Sequence, residues 1–76
     1  MEVIKASIYV KLTEEERKIL RDAYDIFNEL YDIIANNDCE CAINTLTNES
    51  YNSGDIALAA NILRTFAFAD KLEISK

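Results

Sequence analysis

The chain has no histidine, no proline, one glycine and only two cysteines among its 76 residues. Each shortage excludes something. Without histidine there is no side chain whose ordinary pKa makes it a general base near neutral pH. Cys39 and Cys41, with no histidine to join them, lack the ligands to close a tetrahedral zinc site. They read as a buried or idle thiol pair, the alternative being a metal shared across a dimer or a redox role. The carboxylates of Glu14, Glu15, Glu16, Asp22 and Asp25 could in principle hold a cation or move a proton, but no glycine-rich loop or activated nucleophile accompanies them. The expectation is therefore no enzyme, no cofactor and no metal. No apolar run is long enough to span a membrane, and Met1 leads into a charged, alternating segment without a signal-peptide pattern, so a cytoplasmic protein is expected.

What is present is half apolar residues and a net charge of −6, with a pI near 4.4. That composition belongs to an ordered, helix-rich globule rather than a disordered tail. A chain this short buries only about 60% of the surface it exposes when unfolded, so its own core is marginal and oligomerisation or a partner would help it. The acid is uneven. Residues 1–12 carry about +1, residues 13–35 about −4, residues 36–55 about −4 and the rest about +1. An acidic chain makes a poor phosphate-backbone binder, and direct nucleic-acid binding is the weaker expectation; a basic protein partner is the stronger.

The segment Thr13–Ala35 is a capped amphipathic helix. Thr13 can cap the first turn while Glu16, three residues on, reaches back to the Thr13 amide, and Glu14, Glu15 and Glu16 suit the positive end of the helix dipole. At about 100° per residue, Ile19, Leu20, Ala23, Ile26, Phe27, Leu30, Ile33 and Ile34 fall within an arc of roughly 140°, which predicts a buried, core-facing side. Asp22, Asp25, Glu29 and Asp32 gather on the far side as a stripe about 15 Å long. Tyr24 and Tyr31 stand one heptad apart at the border of the two faces. Asn36 and Asn37 tolerate the left-handed conformation expected at the helix end.

Residues 2–12 alternate, with Ile4, Ala6, Ile8, Val10 and Leu12 on one side and Lys5, Ser7, Tyr9 and Lys11 on the other, as a half-buried strand does. Such a strand needs a partner, and pairing with its own copy in a homodimer is the attractive solution. The run Ala6-Ser-Ile-Tyr-Val-Lys-Leu-Thr-Glu-Glu-Glu-Arg17 resembles the start of ribbon-helix-helix repressors and antitoxins, over less than a fifth of the chain. That resemblance implies an antiparallel ribbon of two strands entering the DNA major groove, with Lys5, Ser7, Tyr9 and Lys11 as base readers. The first helix of that family is short and is followed promptly by a second; here the helix runs for about six turns and a polar insert follows.

That insert, Asn36–Gly54, carries Cys39, Ala42, Ile43 and Leu46 at helical spacing, while Cys41, Ile43, Thr45 and Thr47 alternate. A short helix over about 39–47 is expected, a strand being the alternative. Asn52 or Ser53 caps a further helix, about 54–71, whose apolar arc of roughly 200° asks to be sandwiched between two neighbours. Phe68 falls in its thin polar strip, where a large ring has no core reason to be. Leu72–Ser75 alternates weakly and either frays or adds an edge strand.

Together these readings predict one small α+β, helix-rich domain over 1–76, with an N-terminal strand, two main helices and a short element between them, dimeric. Its expected role is binding. Carboxylates recurring every 4.5–6 Å along a helix approximate the spacing of phosphates on a nucleic-acid strand, so Asp22, Asp25, Glu29 and Asp32 could occupy a basic groove built for DNA or RNA. Tyr24, Tyr31 and Phe68 would serve as aromatic anchors. An inhibitor or regulator of a nucleic-acid-handling protein, in the manner of the small inhibitors of phages and mobile elements, follows by analogy of size, charge and helix content. The bland alternative for the stripe is solvated charge, with Lys18 and Arg21 partly neutralising Asp22 and Asp25.

Overall fold

The computed structural model describes residues 7–75. In chain order they form β1 (Ser7–Val10), α1 (Glu14–Asn36), β2 (Cys41–Ile43), β3 (Ser50–Asn52), α2 (Ser53–Ala67) and β4 (Leu72–Ser75). This is a mixed α+β arrangement of two helices and two separate two-stranded antiparallel sheets. One sheet, β1–β4, joins the start of α1 to the end of α2; the other, β2–β3, joins the end of α1 to the start of α2. The two helices therefore run antiparallel, side by side, with a small sheet at each end.

Both helices begin with the same device. The Glu16 amide donates to Thr13 Oγ1 (3.1 Å) and the Thr13 amide to Glu16 Oε1 (3.0 Å). At α2 the Asp55 amide donates to Asn52 Oδ1 (2.8 Å) and the Asn52 amide to Asp55 Oδ2 (3.2 Å). Each box satisfies two amides that a helix start leaves without partners. At the end of α1 the Cys39 amide donates to the Ile34 carbonyl and the Asp38 amide to that of Ala35, the pairing of a Schellman motif. The left-handed residue there is Asp38 (φ 53°), not Asn36, which is still helical, or Asn37, which caps.

The segment expected to be a short helix over 39–47 is instead a hairpin. Asn44 organises its turn: Oδ1 accepts from the Leu46 amide (3.0 Å), and the Asn44 carbonyl accepts from the Asn48 amide (2.7 Å). Asn48 takes φ 65°, which asparagine tolerates better than most residues, and the chain reverses into β3. The register is Cys41 opposite Asn52 and Ile43 opposite Ser50. A further correction concerns β1. Residues 2–6 of the expected strand lie outside the described range, and Ser7–Val10 pair with β4 of their own chain, Ile8 opposite Ile74 and Val10 opposite Leu72. The strand that was expected to seek its own copy has one edge filled from within. Because Leu72–Ser75 is drawn into this sheet, α2 stops at Ala67 rather than about Lys71.

The largest correction is to the inner face of α1. Of the eight residues in its apolar arc only Ile34 is buried, while Ile19, Ile26 and Ile33 are 61%, 58% and 53% exposed. Burial on α1 falls along one border of the arc, on Leu20, Phe27 and Ile34, and continues onto half-buried Arg17, Arg21, Tyr24 and Asn28, the last two lining a cleft with α2. A small-residue surface explains the offset. Ala60 and Ala67 of α2 are buried and let the helices approach closely, and Ile56 completes that contact. A single neighbouring helix cannot cover an arc of roughly 140°, and among the described residues no third layer stands above the pair.

Candidate interaction surface

The four acidic positions lie on α1 along its edge away from α2, and all four are exposed. Lys18 Nζ lies 3.5 Å from Asp22 Oδ2, the ion pair expected from their spacing. The second expected neutralisation does not form. Arg21 turns to Glu14, its Nη2 2.8 Å from Oε1, and Arg17 reaches the other oxygen of the same carboxylate at 2.9 Å. Hydrogen bonding from Arg21, with the charges of Arg17 and Arg21, holds the Glu14 carboxyl below its ordinary pKa. Among the described residues Asp25, Glu29 and Asp32 have no ion-pair partner. They project from about 10 Å of one rigid helix.

The aromatic residues proposed as anchors are dispersed. Tyr24 and Tyr31 line a shallow cleft at the helix junction, with Asn28 of α1 and Ala57, Ala60, Asn61 and Arg64 of α2. By the helical step they stand roughly 130° from the middle of the acidic stripe, so the two features do not form one patch. Phe68 caps α2, on the other helix, and is 67% exposed. Of the base readers implied by the ribbon resemblance, Tyr9 lies under the Lys71 ammonium, 4.7 Å from its ring centroid, and Lys5 lies outside the described range.

A larger feature was not singled out from the sequence. Above α1, Ile19, Ala23, Ile26, Leu30 and Ile33 recur at spacings of four and three, the interval of a coiled-coil seam. On the same side of the helix pair, Leu58, Ile62 and Phe66 of α2 are 60%, 46% and 42% exposed. At the hairpin end this face deepens into a mainly apolar groove of about 500 Å³ lined by Phe27, Ala42, Ile43, Tyr51, Ile56 and Ala59, with Asn44 and Asp55 as its polar members. Leu46 at the hairpin tip is almost fully exposed. The helical count held the signal for this face: an arc wider than one neighbour can cover, with a four-three pattern inside it.

Cys39 and Cys41 are free and exposed, so of the expected buried or idle pair the burial is corrected. No cluster of three or more potential metal ligands occurs among the described residues, and no helix there is long and apolar enough to cross a membrane. Comparison with protein-family models, with curated proteins and with solved structures finds no match, so the surface just described is the whole basis for a functional reading.

Proposed function

We propose that this chain is a binding protein, an acidic interaction module that docks a basic, nucleic-acid-handling partner along the outer edge of α1. One observation carries the reading: Asp25, Glu29 and Asp32 stand exposed and without ion pairs on a single helix edge, while the cations nearest in sequence are engaged elsewhere. A rigid row of unneutralised carboxylates matches a row of lysine or arginine side chains that otherwise grips phosphates. Such a module acts by occupying a groove and excluding nucleic acid from it, which requires no catalytic group. Inhibition in the manner of phage or mobile-element proteins is the biological setting that fits its size and charge.

The test is capture of partners from a bacterial lysate by the tagged chain, repeated with Asp22→Asn, Asp25→Asn, Glu29→Gln and Asp32→Asn combined. Loss of a basic, nucleic-acid-binding protein from the captured set, together with its displacement by added salt, supports the reading. Capture of the same partners by the neutralised variant would remove the stripe from any role.

A further inference from the structure

We infer that the exposed apolar face of the helix pair is closed by a second copy of the same chain. Only Ile34, Ile56, Ala60 and Ala67 are buried hydrophobics among the described residues, whereas Ile19, Ile26, Ile33, Leu58, Ile62 and Phe66 are each about 40–60% exposed on one side. The face runs about 21 Å along α1 from Ile19 to Ile33 and crosses to α2, where Asp55 is the one charged residue lining the groove at its hairpin end. A contiguous apolar surface of this kind on a soluble chain is an interaction site rather than ordinary surface.

Area and charge choose the occupant. The chain exposes 6310 Å², against about 4,700 Å² for a compact monomer of 8.7 kDa. A standard stable interface takes about 800 Å² from each partner, an area that lies within this excess. Because the deficit is in the core itself, the covering surface must be present whenever the chain folds, and a second copy always is. A twofold axis lets one predominantly apolar face serve both sides of the contact. An anionic membrane is disfavoured by Asp22 and Glu29, which rim the face beside Ile26 and Ile33. A basic partner belongs on the acidic edge, which this contact leaves open. The inference stands independently of the proposed acidic-edge function, since either surface can fail while the other holds.

Sedimentation of the full chain tests it directly. The expected mass is about twice 8.7 kDa, with a thermal midpoint that rises with protein concentration. A mass of one chain with a concentration-independent midpoint overturns the inference. Ile26→Glu is expected to lose the dimer, while Asp25→Asn on the adjacent edge keeps it; an Ile26→Glu chain that still sediments as a dimer also overturns it. If Ile26→Glu does not fold, thiol labelling decides, in a background carrying Cys39→Ser and Cys41→Ser. Ile26→Cys and Ile62→Cys are expected to react about tenfold more slowly with maleimide than Asp25→Cys. Equal rates at the three positions would mean that nothing covers the face.

Discussion

Ile34→Ala should be the most damaging single truncation in α1. Ile34 is 5% exposed and sits where the end of α1 meets the hairpin, among Leu30, Asn37, Cys39, Cys41 and Ala42. Truncation removes buried methyl and methylene groups and leaves a void that the Schellman turn resists closing, because the Ile34 carbonyl accepts from the Cys39 amide at 3.0 Å. Transfer and cavity terms together give about 3 kcal/mol. A chain of this length is stable by about 4–11 kcal/mol, so the loss takes a large share of the total. With a urea slope near 1 kcal/mol/M the midpoint should fall by about 3 M, and Ile34→Val should fall by about 1 M. The measurement is urea unfolding followed by helical circular dichroism, with every variant at one protein concentration because any self-association is linked to stability. An Ile34→Ala midpoint no lower than that of Ile34→Val would refute the packing described at this end of the helix.

Four further outcomes follow from particular contacts. Ala60→Leu, at a buried position of α2 against α1, should cost about 1–3 kcal/mol by wedging the helices apart, read from the same unfolding curves. Thr13→Ala should cost about 1 kcal/mol through loss of the cap. The backbone and hydroxyl of Thr13 hold the Glu16 carboxyl below its ordinary 4.5, so that contribution is complete above pH 4.5 and is lost as pH falls through the lower folded value; Glu16→Gln should flatten the acid limb of stability against pH, and Thr13→Ala, which keeps the amide, should do so only in part. Tyr51 donates to Glu49 Oε2 at 2.9 Å, which raises its pKa, so ultraviolet titration should show one tyrosine ionising above 10 and returning toward it in Glu49→Gln. Cys39→Ser with Cys41→Ser should leave the fold intact, since both thiols are free and exposed; a collapse in stability of that double variant would contradict their placement.

Local chemistry was legible and long-range chemistry was not. The Thr13–Glu16 spacing specified the start of α1 because a capping box is a contact between residues three apart, and the acidic edge followed from the helical step alone. The hairpin was harder. Cys41–Ile43 and Ser50–Asn52 are too short for a two-residue period to emerge, and the turn depends on the Asn44 side chain and on a left-handed Asn48. Periodicity cannot express either. The β1–β4 pairing sets Val10 against Leu72 across most of the chain, and four weakly alternating residues hold no register information. The inner face of α1 failed for a different reason. An apolar arc states what water disfavours, not which part of it a neighbour reaches, and here that was decided by the small side chains of Ala60 and Ala67 on another helix. Of the candidate site, the acidic residues were found where expected, while Arg21 was drawn to Glu14 by a seven-residue reach that an i,i+4 rule does not anticipate.

The pairing of β1 with β4 places Ser7 opposite Ser75, so the two described ends of the chain lie one strand apart. A short linker could join them, and the chain could be reopened at Thr45–Thr47, where the turn is exposed and carries no helix or strand. Such a circular permutant would convert the slowest contact to form, the closure of a loop of more than sixty residues, into a local hairpin, and would turn the present β2–β3 hairpin into a pairing between chain ends. Comparing the folding rates of the two connectivities would show which sheet the helices wait for.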